Sequence, residues 1–209
     1  DCGVDLVGRS LSGEWRVAEG AIYAEKHRLP SHIEPVELRR YGIVFVPSDR
    51  FDVAAALEGS VEENAILRDR AHVHPRGIRT NVHSQRVTSR LLSRFGIDAS
   101  RSMPLGTLSG GTIQKLILAR ELEHLQPVCI IAEPFAGLDL QSQALLTELL
   151  RAIAAAGAKV LVISSRIETV TEIAEQVFVL ASNRVTGPYH PDQYDVIGRA
   201  FTGLGSAEA

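Results

Sequence analysis

The sequence predicts an α/β domain built on a mainly parallel sheet, and three observations carry that expectation. Short, continuous apolar runs recur ("YGIVFVP", "PVCIIAEP", "KVLVISS"), the pattern of strands buried on both faces. These runs alternate with longer stretches of helical periodicity, as βαβ units require. The 209 residues suffice for one such domain and its core, or for one domain with an inserted lobe.

Each element follows in order. "EWRVA" and "AIYAE" read as strands, and "YGIVFVP" as a buried strand that Pro47, Ser48 and Asp49 end. From about Ser60 to Met103 arginine and histidine are frequent and apolar positions recur at helical spacing ("VEENAIL", "VTSRLLSRFGI"), so a helical lobe is expected there. "LSGGTIQKLILARELEHL" is a helix opened by Ser109 and two glycines. "PVCIIAEP" is a strand and "LQSQALLTELLRAIAAAG" a helix closed by Gly157. "KVLVISS" is a strand, "RIETVTEIAEQ" a helix, and "VFVLA" and "NRVTG" are strands joined by a tight turn at Ser182-Asn183. The expected divisions are 1–59 (partial core and antiparallel β region), 60–107 (helical lobe), 108–186 (remaining α/β core) and 187–209 (tail).

Composition narrows the function. A hydrophobic fraction of 45% and a formal net charge of -3 exclude a disordered chain and a generalised nucleic-acid-binding surface, so no nucleic-acid partner is expected. Cys2 and Cys129 are far apart, and Cys129 lies in an apolar run, which suits a small core residue and no metal or disulfide framework. "HVH" (His72 to His74) lacks a carboxylate or cysteine at ligand spacing and reads as solvated histidines; no metal site is expected. Trp15 reads as core or edge packing, and the arginines between Arg68 and Arg101 as a solvated or docking face. Neither a signal peptide nor an apolar run of spanning length is seen, so a cytoplasmic chain is expected.

Four segments carry the chemistry: "LSGG" (Leu108 to Gly111) opening a helix, a strand ending in Ala132-Glu133, "GLD" (Gly137 to Asp139), and a strand ending in Ser164-Ser165. At a helix N-terminus, Ser109, Gly110 and Gly111 offer unpaired amides, a favourable dipole and a hydroxyl to an anion; Ser109 alone also reads as an ordinary N-cap. The order and spacing resemble the ATP-binding subunits of ABC transporters over about Ser12 to Val185. The likeness is greatest to the second nucleotide-binding half of tandem ATPases of simple-sugar and nucleoside importers, through "FVPSDR", "SVEEN" and "LSGGTIQKLILAREL". The resemblance implies a P-loop NTPase-like domain with a mixed sheet and an inserted helical lobe. It implies ATP contacted by Ser109, Gly110, Gly111, Gln114 and Asp139, and Glu133 orienting the attacking water. Mg²⁺ would be held mainly by a partner's residues. The implied partners are a second nucleotide-binding domain and transmembrane permease subunits, with the chain peripheral on the inner face of the membrane.

The sequence also departs from that family. Ala132 stands where an aspartate holds Mg²⁺, Ser165 where a histidine senses the γ-phosphate, and Ser48 where Gln or Glu is usual. Glu133, without its usual neighbour, reads either as a water-orienting base or as a cap on the sheet edge. "GVDLVGRS" (Gly3 to Ser10) fits G-x-x-x-x-G-[KR]-[ST], yet "LSGEWRVAEG" follows it at once, matching the family's hairpin beyond the phosphate-loop helix. In that register "DLVGR" is the tail of the helix, the true loop would lie before Asp1, and the domain is expected to be N-terminally truncated. The pattern implies a half that lends its signature to a partner and is weak or inactive as an isolated ATPase. The alternatives are a non-catalytic module docking on membrane subunits without nucleotide and, further off, a soluble ABC protein of DNA repair or translation.

Overall fold

The computed structural model describes residues 4–11, 15–24, 27–33, 37–49, 54–68, 81–124 and 126–203. Three parallel strands form its centre: β3 (Ile43–Val46), β4 (Val128–Ala132) and β5 (Lys159–Ile163), in that order across the sheet. The register places Val44 beside Cys129 and Val160, and Val46 beside Ile131 and Val162. Side chains alternate across a strand. Val44, Val46, Cys129 and Ile131 therefore join one apolar cluster, and Ile43 and Ile130 another.

The first face is covered by helices. These are α2 (Val61–Ala65), α3 (Asn81–Arg94), α4 (Gly110–Leu122) and α5 (Leu140–Ala155). Helix α4 is buried along nearly its whole length, from Ile113 to Leu122 apart from the half-buried Lys115, because it runs between the sheet and the lobe. Val61, Val87, Leu91 and Phe95 of the lobe share one core with Leu116, Leu118 and Ile131. The expected helical lobe is thus continuous with the sheet core and not a separate globule. "SVEEN" is a local fastening. Ser60 Oγ accepts from the Glu63 amide while Glu63 accepts from the Ser60 amide, and the buried Asn64 both donates to and accepts from the backbone of Ala56.

On the opposite face lie α1 (Val4–Leu11) and a short hairpin of β1 (Tyr23–Ala24) and β2 (His27–Arg28). The stretch "DLVGR" is helical, as its register implied, so it does not form a loop around an anion. The strand expected in "EWRVA" is absent among its described residues: Trp15 to Ala18 join no ladder, although the Val17 amide donates to the Ser31 carbonyl at 3.2 Å. Of the expected core or edge packing, Trp15 shows no core burial: it is 47% exposed, with the Arg9 guanidinium carbon 5.8 Å from its ring centroid. Among its described residues, "AIYAE" contributes the two residues of β1. His72 to His74 lie outside the described residues.

Beyond the sheet, α6 (Ile167–Ile173) leads to a hairpin of β6 (Val177–Ala181) and β7 (Arg184–Tyr189), and α7 (Tyr194–Phe201) follows. Ser182 and Asn183 both take positive φ, as a two-residue hairpin turn requires. Cys129 is a buried free thiol, and burial pushes its pKa up.

Candidate functional site

Two places in the fold gather the residues singled out by sequence. The first is the start of α4. Ser109 is its N-cap: the hydroxyl oxygen accepts from the Thr112 amide at 3.2 Å and lies 2.8 Å from Thr112 Oγ1. The amides of Gly110 and Gly111 make no hydrogen bond among the described residues, and Ser109 and Gly110 are exposed. This end of a 13-residue helix thus offers open N–H groups to an anion. Gly111 has a further reason to be glycine, since a Cβ there would lie 2.6 Å from the Gly137 carbonyl oxygen. The "GLD" turn is therefore pressed against the signature residues.

Asp139 closes that turn as the N-cap of α5. Its carboxylate accepts from the Ser142 amide at 2.9 Å and the Ser142 hydroxyl at 2.8 Å, and Lys115 Nζ stands 3.6 Å away. The Ser142 amide, then its hydroxyl, hold the Asp139 pKa below the usual carboxylate range, with a smaller contribution from Lys115. Leu140 beside it is 84% exposed. Ser109, Gly110, Gly137, Asp139 and Leu140 form one exposed ridge. Sequence reasoning missed Lys115 and Leu140; a leucine directly after an N-cap aspartate, outside the apolar stripe of its helix, was the available signal.

Gln114 sits elsewhere. It is 1% exposed and donates through Nε2 to the Pro134 carbonyl at 3.1 Å, while its Oε1 has no partner among the described residues. In the chain by itself this side chain braces α4 against the segment leaving β4.

The second place is the carboxyl edge of the sheet. Glu133 follows β4 with φ 45°, a left-handed conformation that turns the chain sharply away. Its amide donates to the Ile163 carbonyl at 2.8 Å. Both carboxylate oxygens are engaged by the end of β5, since Ser164 Oγ donates at 2.9 Å and the Ser165 amide at 2.6 Å. Ala132 is buried in register with Ile163 and provides no oxygen, and Ser48 lies just past β3. No group of three His, Cys, Asp or Glu side chains placed to hold a metal occurs among the described residues. The oxygen-bearing side chains that directly follow β4 and β5 are those of Glu133, Ser164 and Ser165. Ser164 is the residue missed here; the doubled serine ending a buried strand was the only sequence signal.

A third feature is a cleft of about 450 Å³ between the sheet and the lobe, walled by Leu38, Phe45 and Pro47. Three guanidiniums and one carboxylate line it. Arg68 Nε contacts both oxygens of Glu121 at 2.8 and 2.7 Å, Arg120 contacts Glu121 at 2.8 Å, and Arg39 approaches it at 3.5 Å. Arg120 also donates to the Ala54 and Asn64 carbonyls, and burial lowers its pKa against the opposing pull of Glu121. Several arginines of the 68–101 stretch are thus paired and not simply solvated: Arg90 and Arg94 meet Glu123, and Arg101 meets Glu62.

Comparison with known proteins agrees with this fold. No family model matches the chain. The chain is 30% identical over 199 residues to the ribose import ATP-binding protein RbsA 1 of Rhizobium meliloti, covering 94% of itself and 39% of that relative. It is 31% identical over 179 residues to the arabinose import ATP-binding protein AraG 2 of Burkholderia thailandensis, covering 85% of itself and 34% of that relative. The chain therefore spans less than half the length of these curated relatives. Among solved structures it resembles a nucleotide-free ATP-binding cassette of an ABC transporter, with TM-score 0.68, 18% identity, and coverage of 93% of this chain and 79% of the other. It also resembles a dimeric ATP-binding cassette in a post-hydrolysis state bound to ADP and Pi, with TM-score 0.69, 19% identity, and coverage of 90% and 81%. The chain thus has the fold of an ABC-transporter ATP-binding cassette and is a sequence relative of the ATP-binding proteins of bacterial sugar importers.

Proposed function

We propose that this chain is the signature-lending half of an ABC importer's nucleotide-binding pair, acting on ATP held by a second domain and serving import of a simple sugar or nucleoside. The observation that carries the reading is the open end of α4, where the Gly110 and Gly111 amides are unengaged beside the exposed Ser109 hydroxyl. An anion fits there: the helix start supplies donors and partial positive charge, and the absent Cβ of Gly111 keeps the "GLD" turn close. Bound ATP would supply the phosphate anhydride whose cleavage drives transport. The chain's own part is electrostatic positioning of the terminal phosphate. Asp139 and Leu140, on the same ridge, meet the partner domain.

The sheet edge supports the other half of the proposal. Glu133 has both oxygens taken by Ser164 and Ser165, and Ala132 offers no metal ligand, so hydrolysis falls to the partner's site, where Mg²⁺ is held by the partner's residues. By itself the chain is then a weak or inactive ATPase. The arginine-lined cleft, with three guanidiniums to one carboxylate, suits docking of the permease subunits, and the chain would then lie on the inner face of the membrane. No helix among the described residues is long and apolar enough to cross a membrane. Membrane docking without nucleotide is the second reading, favoured by that same cleft.

ATP turnover separates the two readings. It is measured for this chain, for a nucleotide-binding domain with a phosphate loop but a disabled signature, and for their mixture. Turnover is expected only in the mixture and is lost with Ser109→Arg; a mixture no faster than its parts leaves the docking module.

A further inference from the structure

The hydrogen bonds of the charged groups lining the cleft can be counted out one by one. Glu121 is buried, and both its oxygens are engaged: Arg68 Nε reaches each, Arg120 reaches Oε1 and Arg39 approaches Oε2. Arg120 is 5% exposed and fully used, with Nε on Glu121, Nη1 on the Asn64 carbonyl and Nη2 on the Ala54 carbonyl. Arg68 differs. It spends only Nε on Glu121, and its Nη1 and Nη2 make no hydrogen bond among the described residues. Its side chain is 35% exposed and lines the cleft. A guanidinium holds a carboxylate best through two parallel N–H groups. The Nη1–Nη2 end of Arg68 keeps such a pair, beside an acid that is already shared among three arginines.

Much of the remaining wall is apolar. Leu38, Phe45, Pro47 and Leu67 contribute to it, and Leu67 stays 41% exposed. Ala54 to Ala56 line the cleft with nothing larger than a methyl, which keeps the space open. The volume of about 450 Å³ lies in the range of small-molecule sites, where apolar walls supply contact and a few polar groups fix orientation. A planar carboxylate brings two oxygens and one charge, matching one guanidinium end; a phosphate brings a third oxygen and further charge.

We propose that this cleft is a binding site for a small carboxylate with an apolar body, its two oxygens on Nη1 and Nη2 of Arg68 and its hydrocarbon against Phe45 and Leu67. Arg120 and Arg39, by sharing Glu121, leave Arg68 with charge to offer. The site shares the cleft with the permease contact proposed above but does not rest on it.

Benzoate is the probe, titrated into the 209-residue chain and followed by NMR shifts of the Ala55, Leu67 and Arg68 amides. Saturable shifts with a dissociation constant of about 1 mM or tighter are expected. Benzamide keeps the ring without the charge and should bind about tenfold more weakly. Arg68→Lys keeps a cation for Glu121 but loses the paired N–H groups. It should weaken benzoate about tenfold while leaving the melting temperature near that of the wild type. Should that variant unfold, Ala56→Phe serves: it alters no charge, narrows the cleft from an exposed position, and should abolish the benzoate shifts. No saturable shift at millimolar benzoate overturns the proposal. So does benzamide or inorganic phosphate binding as tightly as benzoate, or undiminished benzoate binding by Arg68→Lys or Ala56→Phe. ATP turnover plays no part in these measurements, so their failure leaves the signature reading standing, and its failure leaves them.

Discussion

The start of α4 and the carboxyl edge of the sheet are both polar chain reversals beside glycine or a left-handed residue, yet they differ in what they leave free. At α4 the backbone donors of Gly110 and Gly111 are open, and Asp139 and Leu140 stand exposed beside them. At the sheet edge the acid that follows β4, Glu133, is satisfied twice over by the residues ending β5. Unsatisfied donors at a helix start await an acceptor from outside, whereas a carboxylate already holding two donors gains little from another. The contrast separates a place whose donors are open from one whose acid is already held, and the proposed division of labour with a partner rests on it.

The largest expected break comes from Gly111→Val. The added side chain meets the Gly137 carbonyl, so the "GLD" turn must move away from α4. Overpacking of this kind costs about 1–3 kcal/mol, a fall in melting temperature of about 5 °C by calorimetry. Partner-dependent turnover should vanish with it, because the ridge no longer holds its shape.

Ser164→Ala acts on the other region. It removes one donor from Glu133 and should cost about 1 kcal/mol in urea titrations, with partner-dependent turnover unchanged. A marked change in turnover would mean that the closed edge takes part in the chemistry after all.

How much of this was legible in the sequence follows from how local each device is. Caps are local, so Ser109, the Gly157 stop and the Ser182-Asn183 turn could be read from residue types within a few positions. Buried strands are nearly so, because β3, β4 and β5 are continuous apolar runs. The grip of Ser164 and Ser165 on Glu133 was not legible. It depends on the β4–β5 register and on a positive φ at a non-glycine residue, neither of which composition encodes. The Arg68–Glu121 contact joins residues 53 apart and needed the packing of the lobe on α4. "EWRVA" misled because strand-like composition forms a strand only where a neighbour offers a ladder. The Gln114 contact with the Pro134 carbonyl joins residues 20 apart and likewise needed the packing of α4 against the segment leaving β4.

The smallest effect belongs to Asp139→Asn. The wild-type carboxylate has a depressed pKa, so the stability it contributes is present above the ordinary aspartate range and is lost as pH falls through its lowered folded value. Thermal melts of wild type and variant should differ at neutral pH and converge in acid; a gap that stays constant down to low pH would assign the effect to shape instead of charge.

The most direct test of the account is the single-turnover rate of ATP in the mixed pair, measured with either Ser109→Arg or Glu133→Gln in this chain. Disrupting the donors at the start of α4 should slow it by about 100-fold or more, as loss of a transition-state donor does, while Glu133→Gln should leave it unchanged. A collapse with Glu133→Gln and none with Ser109→Arg would contradict the account.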